Sequence, residues 1–154
     1  MIDWPIAELL PHAGDMVLLD AVVAFDTESI ICQRRISPGG LFQHADGALP
    51  AWVGVELMAQ AIATWAGCQA RQQQRQVQLG LLLGTRHYRC TVPRFPLGAM
   101  LSVSARRNFH DAHGMGVFDC RIDAPGIEAQ ARLTVFSPPD AVAFFAGLSK
   151  ETHA

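Results

Sequence analysis

The chain has 154 residues, half of them hydrophobic and 17% charged, with a formal net charge of −2. That length reads as one domain, residues 1–154, and a domain of this size buries roughly 70% of its unfolded surface, enough for a core without disulfide or metal staples. The slightly acidic balance argues against nucleic acid as the main partner, because phosphate binding needs a basic field; the low charge density points instead to a face buried against a partner subunit.

The opening MIDWPIAELL carries no basic segment ahead of an apolar run, so no signal peptide is read. Asp3 is placed to cap a short helix with Pro5 in its first turn, and Pro11 to end it. Two stretches rich in β-branched residues, 16–25 and 29–36, read as strands joined by the polar Asp26-Thr27-Glu28. Ser37-Pro38-Gly39-Gly40 breaks the pattern and begins a loop. The apolar run 48–68 is long enough to be mistaken for a membrane span. It contains Pro50, Glu56, Gln60 and Thr64 and lacks flanking anchors, so it is expected to be a buried helix from about Pro50 to about Arg71, not a span.

Period two follows. A long strand is expected over 77–90, with a bulge at Gly84. In 100–107, Leu101, Val103 and Ala105 share one face; in 116–122, Phe118, Cys120 and Ile122 do so; in 127–136, Ala129, Ala131, Leu133 and Val135 do so. Turns are expected at 110–114 and 123–126, and a short closing helix, capped near Asp140, in PDAVAFFAGL. Short turns between consecutive strands predict a mostly antiparallel sheet. A helix apolar nearly all round has to be wrapped. The fold class expected is therefore α+β: one hotdog domain, a curled antiparallel sheet around one long central helix.

Cys32, Cys68, Cys90 and Cys120 form no CxxC pair, so they read as small buried hydrophobes of a protein kept in a reducing cytoplasm, and no metal site is expected. His110 and His113 have an H-x-x-H spacing but fall in a hairpin turn, where surface polar residues are the simpler reading.

Three segments resemble the β-hydroxyacyl-ACP (acyl carrier protein) dehydratases of fatty-acid synthesis, the FabZ/FabA type: LPHAGDMVLLDAVV, LPAWVGVELMAQA and LLLGTRHYRCTVPRFPLGAML. Within the second, Glu56-Leu57-Met58-Ala59-Gln60 is the most specific match, and PAWVGVELMAQAIATWAG looks closest to the ApeP-like dehydratases associated with aryl polyene synthesis. On this resemblance, Glu56 matches the family's helix carboxylate and His44 its catalytic loop histidine. The loop departs from the family: it reads Gln43-His44-Ala45-Asp46-Gly47, without the usual Phe-Pro, and His44 lies closer to Glu56 in sequence. Ala51 stands where the family has glycine.

The resemblance implies dehydration of a 3-hydroxyacyl thioester on acyl carrier protein to the trans-2-enoyl thioester, in fatty-acid or aryl-polyene-type biosynthesis. His44 is then the base for the C2 proton, a role that suits imidazole near neutral pH. Glu56 is the acid for the departing hydroxide. Apolar neighbours such as Trp52, Val55, Leu57 and Met58 favour its protonated form, while the positive helix end opposes this within the first turn; a helix starting at Pro50 puts Glu56 in the second. The N–H groups of Ala51 or Trp52 are the candidates to polarise the thioester oxygen. Gly84 and Arg86 are further substrate-binding candidates; the arginines beside His87 read either as a solvated face or as a patch for the phosphopantetheine phosphate or an acidic carrier.

No cofactor is implied, since phosphopantetheine travels on the substrate. In this family the histidine and glutamate of one site come from different subunits, so a homodimer, or a heterodimer with a paralogous hotdog subunit, is expected. His12, in Leu10-Pro11-His12, reads as a packing residue, and Asp46 as a turn former. Taken apart from the flanking motifs, the simpler reading is that Glu56 is a satisfied core carboxylate and His44 a structural loop histidine. Two rival functions share the fold: a hotdog acyl thioesterase, and a non-catalytic hotdog subunit that stabilises a dehydratase partner.

Overall fold

A computed structural model of the chain describes residues 1–12, 14–76 and 80–138. The short closing helix expected from Pro139 onward, and the beginning of the strand expected from residue 77, lie outside them.

The elements run α1 (Ile6–Leu9), a 3-10 turn (Gly14–Met16), β1 (Ala21–Phe25), β2 (Ser29–Arg35), β3 (Leu49–Pro50), α2 (Val53–Gln72), β4 (Leu81–Cys90), β5 (Arg94–Phe95), β6 (Met100–His110), β7 (Met115–Ala124) and β8 (Ile127–Phe136). Six strands form one antiparallel sheet in the order β1-β2-β6-β7-β8-β4, and β3 pairs with β5 in a small second ladder. This sheet around one 20-residue helix is the hotdog architecture, an α+β fold.

The period-two pattern does what it predicts. Leu101, Val103 and Ala105 of β6, Phe118, Cys120 and Ile122 of β7, and Ala129, Ala131 and Leu133 of β8 all turn to the core. They meet Val53, Leu57, Met58, Ala61 and Cys68 of α2, which are buried as well. Burying a Leu or Met side chain contributes on the order of 2 kcal/mol, so this shared face is the main reason the helix stays in place. Burial pushes the thiols of Cys32 and Cys120 up to about 12 and that of Cys68 up to about 11, so all three remain thiols near neutrality.

Two glycines permit close approach. A Cβ on Gly67 would run into the Leu9 carbonyl, so the α1 end packs directly on the α2 backbone. A Cβ on Gly54 would run into the Tyr88 hydroxyl, which donates a hydrogen bond to the Ala51 carbonyl; Gly54 therefore lets β4 and the start of α2 touch.

Four local expectations are corrected. Asp3 does not cap α1: the N-cap is Pro5, with no side-chain cap bond. The first strand begins at Ala21 rather than residue 16, because Gly14–Met16 forms the 3-10 turn and the Leu18 N–H goes to the Gln60 side chain instead of a strand. Helix α2 starts at Val53 rather than Pro50, because Leu49–Pro50 is spent on the ladder with β5. Glu56 consequently sits in the first turn of the helix, not the second. The bulge expected at Gly84 is present, as a register shift between Leu82 and Gly84, and a second one falls between Arg86 and Arg89, where His87 has φ of 57°.

Candidate active site

Glu56 leaves α2 on the side away from the deepest core and lines a cavity of about 400 Å³. Below it on the helix the cavity floor is Ala59, Ile62, Ala63 and Ala66; the opposite wall includes Leu81, Met115 and Val135. The side chain is 38% exposed in one protomer. It is thus less enclosed than its apolar sequence neighbours imply. Leu57 and Met58 point into the core and Trp52 is 62% exposed, so none of the three covers the carboxyl as sequence adjacency suggested.

Gln60, one turn on, explains how a carboxylate is kept there. Its amide nitrogen donates to Glu56 Oε1 at 3.2 Å and to the Met16 carbonyl at 2.7 Å, while its oxygen accepts the Leu18 N–H at 2.9 Å. Gln60 is completely buried, and every polar atom it brings into the core is matched, as burial of an amide requires. The second polar neighbour is His12, whose Nε2 lies 3.7 Å from Glu56 Oε1 and which lines the same cavity. Reading Leu10-Pro11-His12 as plain packing missed this. The available signal was that LPH and E-x-M-A-Q occur together among the matched segments, so the folded chain had reason to bring them into contact.

His44 lies elsewhere in the protomer. It is exposed, in a tight turn between β2 and β3, and is not among the residues lining the Glu56 cavity. Its N–H donates to the Ala48 carbonyl at 2.8 Å and its own carbonyl accepts the Gly47 N–H at 2.9 Å. Asp46 does form the turn: Oδ1 accepts the Ala48 N–H at 3.0 Å and Oδ2 pairs with Arg94 at 3.1 Å. The Ala48 N–H holds the Asp46 carboxyl below its usual range; burial opposes it, and the charges of Arg94 and His44 add lesser downward pulls. Phe42, at the start of this loop, packs edge-on against Trp52 with ring centroids 5.5 Å apart, which ties the loop to the entrance of α2.

The helix entrance is also more committed than the sequence implied. The Ala51 N–H donates to the Pro93 carbonyl at 3.1 Å and is therefore not free to face a substrate. Among the described residues the Trp52 N–H has no backbone partner, so of the two candidates it is the one left to act as a donor. Burial pushes the Tyr88 phenol well above its ordinary value, so it remains a proton donor to the Ala51 carbonyl and fixes this entrance from below. Gly84 and Arg86 lie on the exposed part of β4, opposite Thr134 and Arg132, and do not line the Glu56 cavity; Leu81 and Leu82 of the same strand do. Strand β4 is a sheet edge, and it exposes Leu82 and Leu83.

Among the described residues no helix is long and apolar enough to cross a membrane. The chain is similar over 94% of its length, at 31% identity and with a TM-score of 0.84, to a chain of the dehydratase heterocomplex ApeI:P from Xenorhabdus doucetiae, 99% of which is covered. It shares the fold alone with the PaaI protein of the phenylacetic acid degradation operon of E. coli (13% identity, TM-score 0.57, 75% of this chain and 81% of that one). The same holds for a hypothetical thioesterase of Streptococcus pneumoniae solved with coenzyme A (13% identity, TM-score 0.57, 75% and 83%). No curated protein sequence matches. The family model for ApeP dehydratase matches residues 4–146, and the chain belongs to this ApeP-like dehydratase family.

Proposed function

We propose that the protein removes water from a 3-hydroxyacyl thioester carried on acyl carrier protein, giving the trans-2-enoyl thioester, in fatty-acid or aryl-polyene-type synthesis. The observation that carries this reading is Glu56: a carboxyl group fixed by a fully buried glutamine at the head of an apolar cavity of about 400 Å³. An acyl chain fits along the alanine-lined floor while its oxygenated end stays beside the carboxyl.

In the reaction the C2 proton goes to the imidazole of His44, electrons move into the C2–C3 bond, and the C3 hydroxyl leaves with a proton from Glu56. The role calls for Glu56 to hold that proton when the hydroxyl departs. The Trp52 N–H at the start of α2 is the donor proposed for the thioester oxygen; one such donor is typically worth ~10²–10³ in rate. His44 is exposed and outside the Glu56 cavity of its own protomer. The site is therefore proposed to form between two hotdog subunits, His44 of one meeting Glu56 of the other. Its exposed edge strand β4 with Leu82 and Leu83 is the surface proposed to join them. Arg86 on that strand is proposed to meet the phosphopantetheine phosphate or the acidic carrier.

A second reading is favoured by the similarity to a chain of a heterocomplex: the protein pairs with a paralogous dehydratase and stabilises it without carrying out the chemistry itself. One assay separates them. Purified protein is incubated with a 3-hydroxyacyl carrier substrate and the acyl chain followed by mass spectrometry. Loss of one water by the protein alone supports the first reading, loss only after a hotdog partner is added supports the second, and release of free thiol overturns both in favour of a thioesterase.

A further inference from the structure

The polar groups around Glu56 are not symmetrical. Both neighbours, the Gln60 amide at 3.2 Å and His12 Nε2 at 3.7 Å, converge on Oε1. Among the described residues Oε2 receives no hydrogen bond. Gln60 is locked by its bonds to Met16 and Leu18. His12 follows Pro11, whose ring restricts the backbone, and lines the cavity beside Glu56 with 29% of its side chain exposed. Among the described residues its buried Nδ1 has no partner. A buried N–H without an acceptor is costly, so a proton on Nε2, the nitrogen that faces the carboxyl, is the tautomer these surroundings favour.

We propose that His12 is a positioning residue of the Glu56 site: its Nε2–H and the Gln60 amide hold Oε1 from the same chain, leaving Oε2 as the oxygen that exchanges a proton with the substrate. This rests on the dehydratase reading above and adds to it a second histidine, distinct from His44 and contributed by the subunit that owns the carboxyl. The 3.7 Å separation is longer than a hydrogen bond. Catalytic hydrogen bonds commonly tighten to full contact only in the substrate complex. The arrangement also gives His12, Met16 and Leu18 a function, because His12 lies beside the acid while Met16 and Leu18 brace it through Gln60.

The test uses the full-length protein, with its hotdog partner if activity requires one. His12→Ala is expected to lower kcat by about tenfold or more with KM nearly unchanged, since a hold on the proton donor acts on the chemical step. His12→Gln, which can return an N–H near the position of Nε2, is expected to recover much of that loss. Independently of activity, nitrogen-15 spectra of the imidazole are expected to show the proton on Nε2 in the wild type, with a signal that moves in Glu56→Gln. Unchanged kcat in His12→Ala overturns the proposal. So does an equal loss in both His12 variants with a shared fall in Tm, or a ring proton found on Nδ1. If the wild-type protein dehydrates no hydroxyacyl substrate, the functional reading fails, and the nitrogen-15 result still decides whether His12 holds Glu56.

Discussion

The surroundings of Glu56 and those of His44 are built in opposite ways. Glu56 is held through contacts that reach far along the chain: Gln60, one turn on, ties it to Met16 and Leu18, and His12 closes in beside it, all against the packed helix α2. His44 is held by its own neighbours, through bonds to Gly47 and Ala48, an Asp46 turn and an exposed ion pair to Arg94. The first region is anchored within the single chain, because moving the carboxyl breaks its bond to a buried amide that is itself tied to Met16 and Leu18. The second is held by bonds within the turn and one exposed ion pair, which compete with water. The site proposed between subunits divides in this way: one half is a wall built within the chain, and the other is a loop proposed to dock against it.

The largest effects come from removing either chemical group. Glu56→Gln and His44→Ala are each expected to cut dehydration by ~10² or more while the circular dichroism and Tm stay near wild type. Near-wild-type turnover by either variant removes that residue from the reaction. Mixing the two inactive variants is expected to restore part of the activity once subunits exchange, because one hybrid site keeps both groups. Failure to recover activity despite proven exchange breaks the division of the site between chains.

Next in size is the brace. Gln60→Leu leaves the Leu18 N–H buried without an acceptor and frees Glu56 Oε1, so a loss of about 1–3 kcal/mol in denaturant unfolding is expected together with slower turnover. A stable protein with full activity would show that the wall is not what fixes the carboxyl. Overpacking tests the same wall from behind. Gly67→Ala, pressed on the Leu9 carbonyl, is expected to cost about 1–3 kcal/mol without a specific effect on kcat.

The smallest effect belongs to the His44 loop. The Asp46 carboxyl is held below its ordinary value of 3.8, chiefly by the Ala48 N–H. Its contribution is therefore complete above about that pH and is lost as the pH falls further, through the lowered folded value. Amide exchange at Ala48 is expected to quicken over that acid range in the wild type and to be already fast in Asp46→Ala, with at most a several-fold change in turnover at neutral pH, since the Arg94 pair is exposed and screened. A large loss of activity in this variant would mean that the loop is as preformed as the wall.

Much of this was legible in the residues. Strand faces such as Phe118-Cys120-Ile122 and Ala129-Ala131-Leu133 follow directly from period-two alternation, because a strand can bury only one of its faces against a helix. Gly84 announced its bulge, and Ile127–Phe136 is a strand with the bounds its pattern gives. Glu56 stood out because a carboxylate in an apolar run requires a reason, and Gln60 one turn away was the visible part of it. The helix start was misplaced because a Pro-containing entrance looks alike whether it opens a helix or pairs as Leu49–Pro50 does with Arg94–Phe95. That pairing depends on a segment more than forty residues away.

By itself, then, the sequence determined the α+β hotdog plan, the faces of the sheet and the carboxylate that the plan places beside a cavity, since each of these rests on periodicity or on a local misfit of polarity. Only the tertiary structure decided that Ala51 spends its N–H on Pro93, that Gly84 and Arg86 sit away from the Glu56 cavity, and that His12 comes to 3.7 Å from Glu56. These are contacts between distant segments, fixed by how α1, α2 and β4 pack together, and short-range patterns carry no information about them.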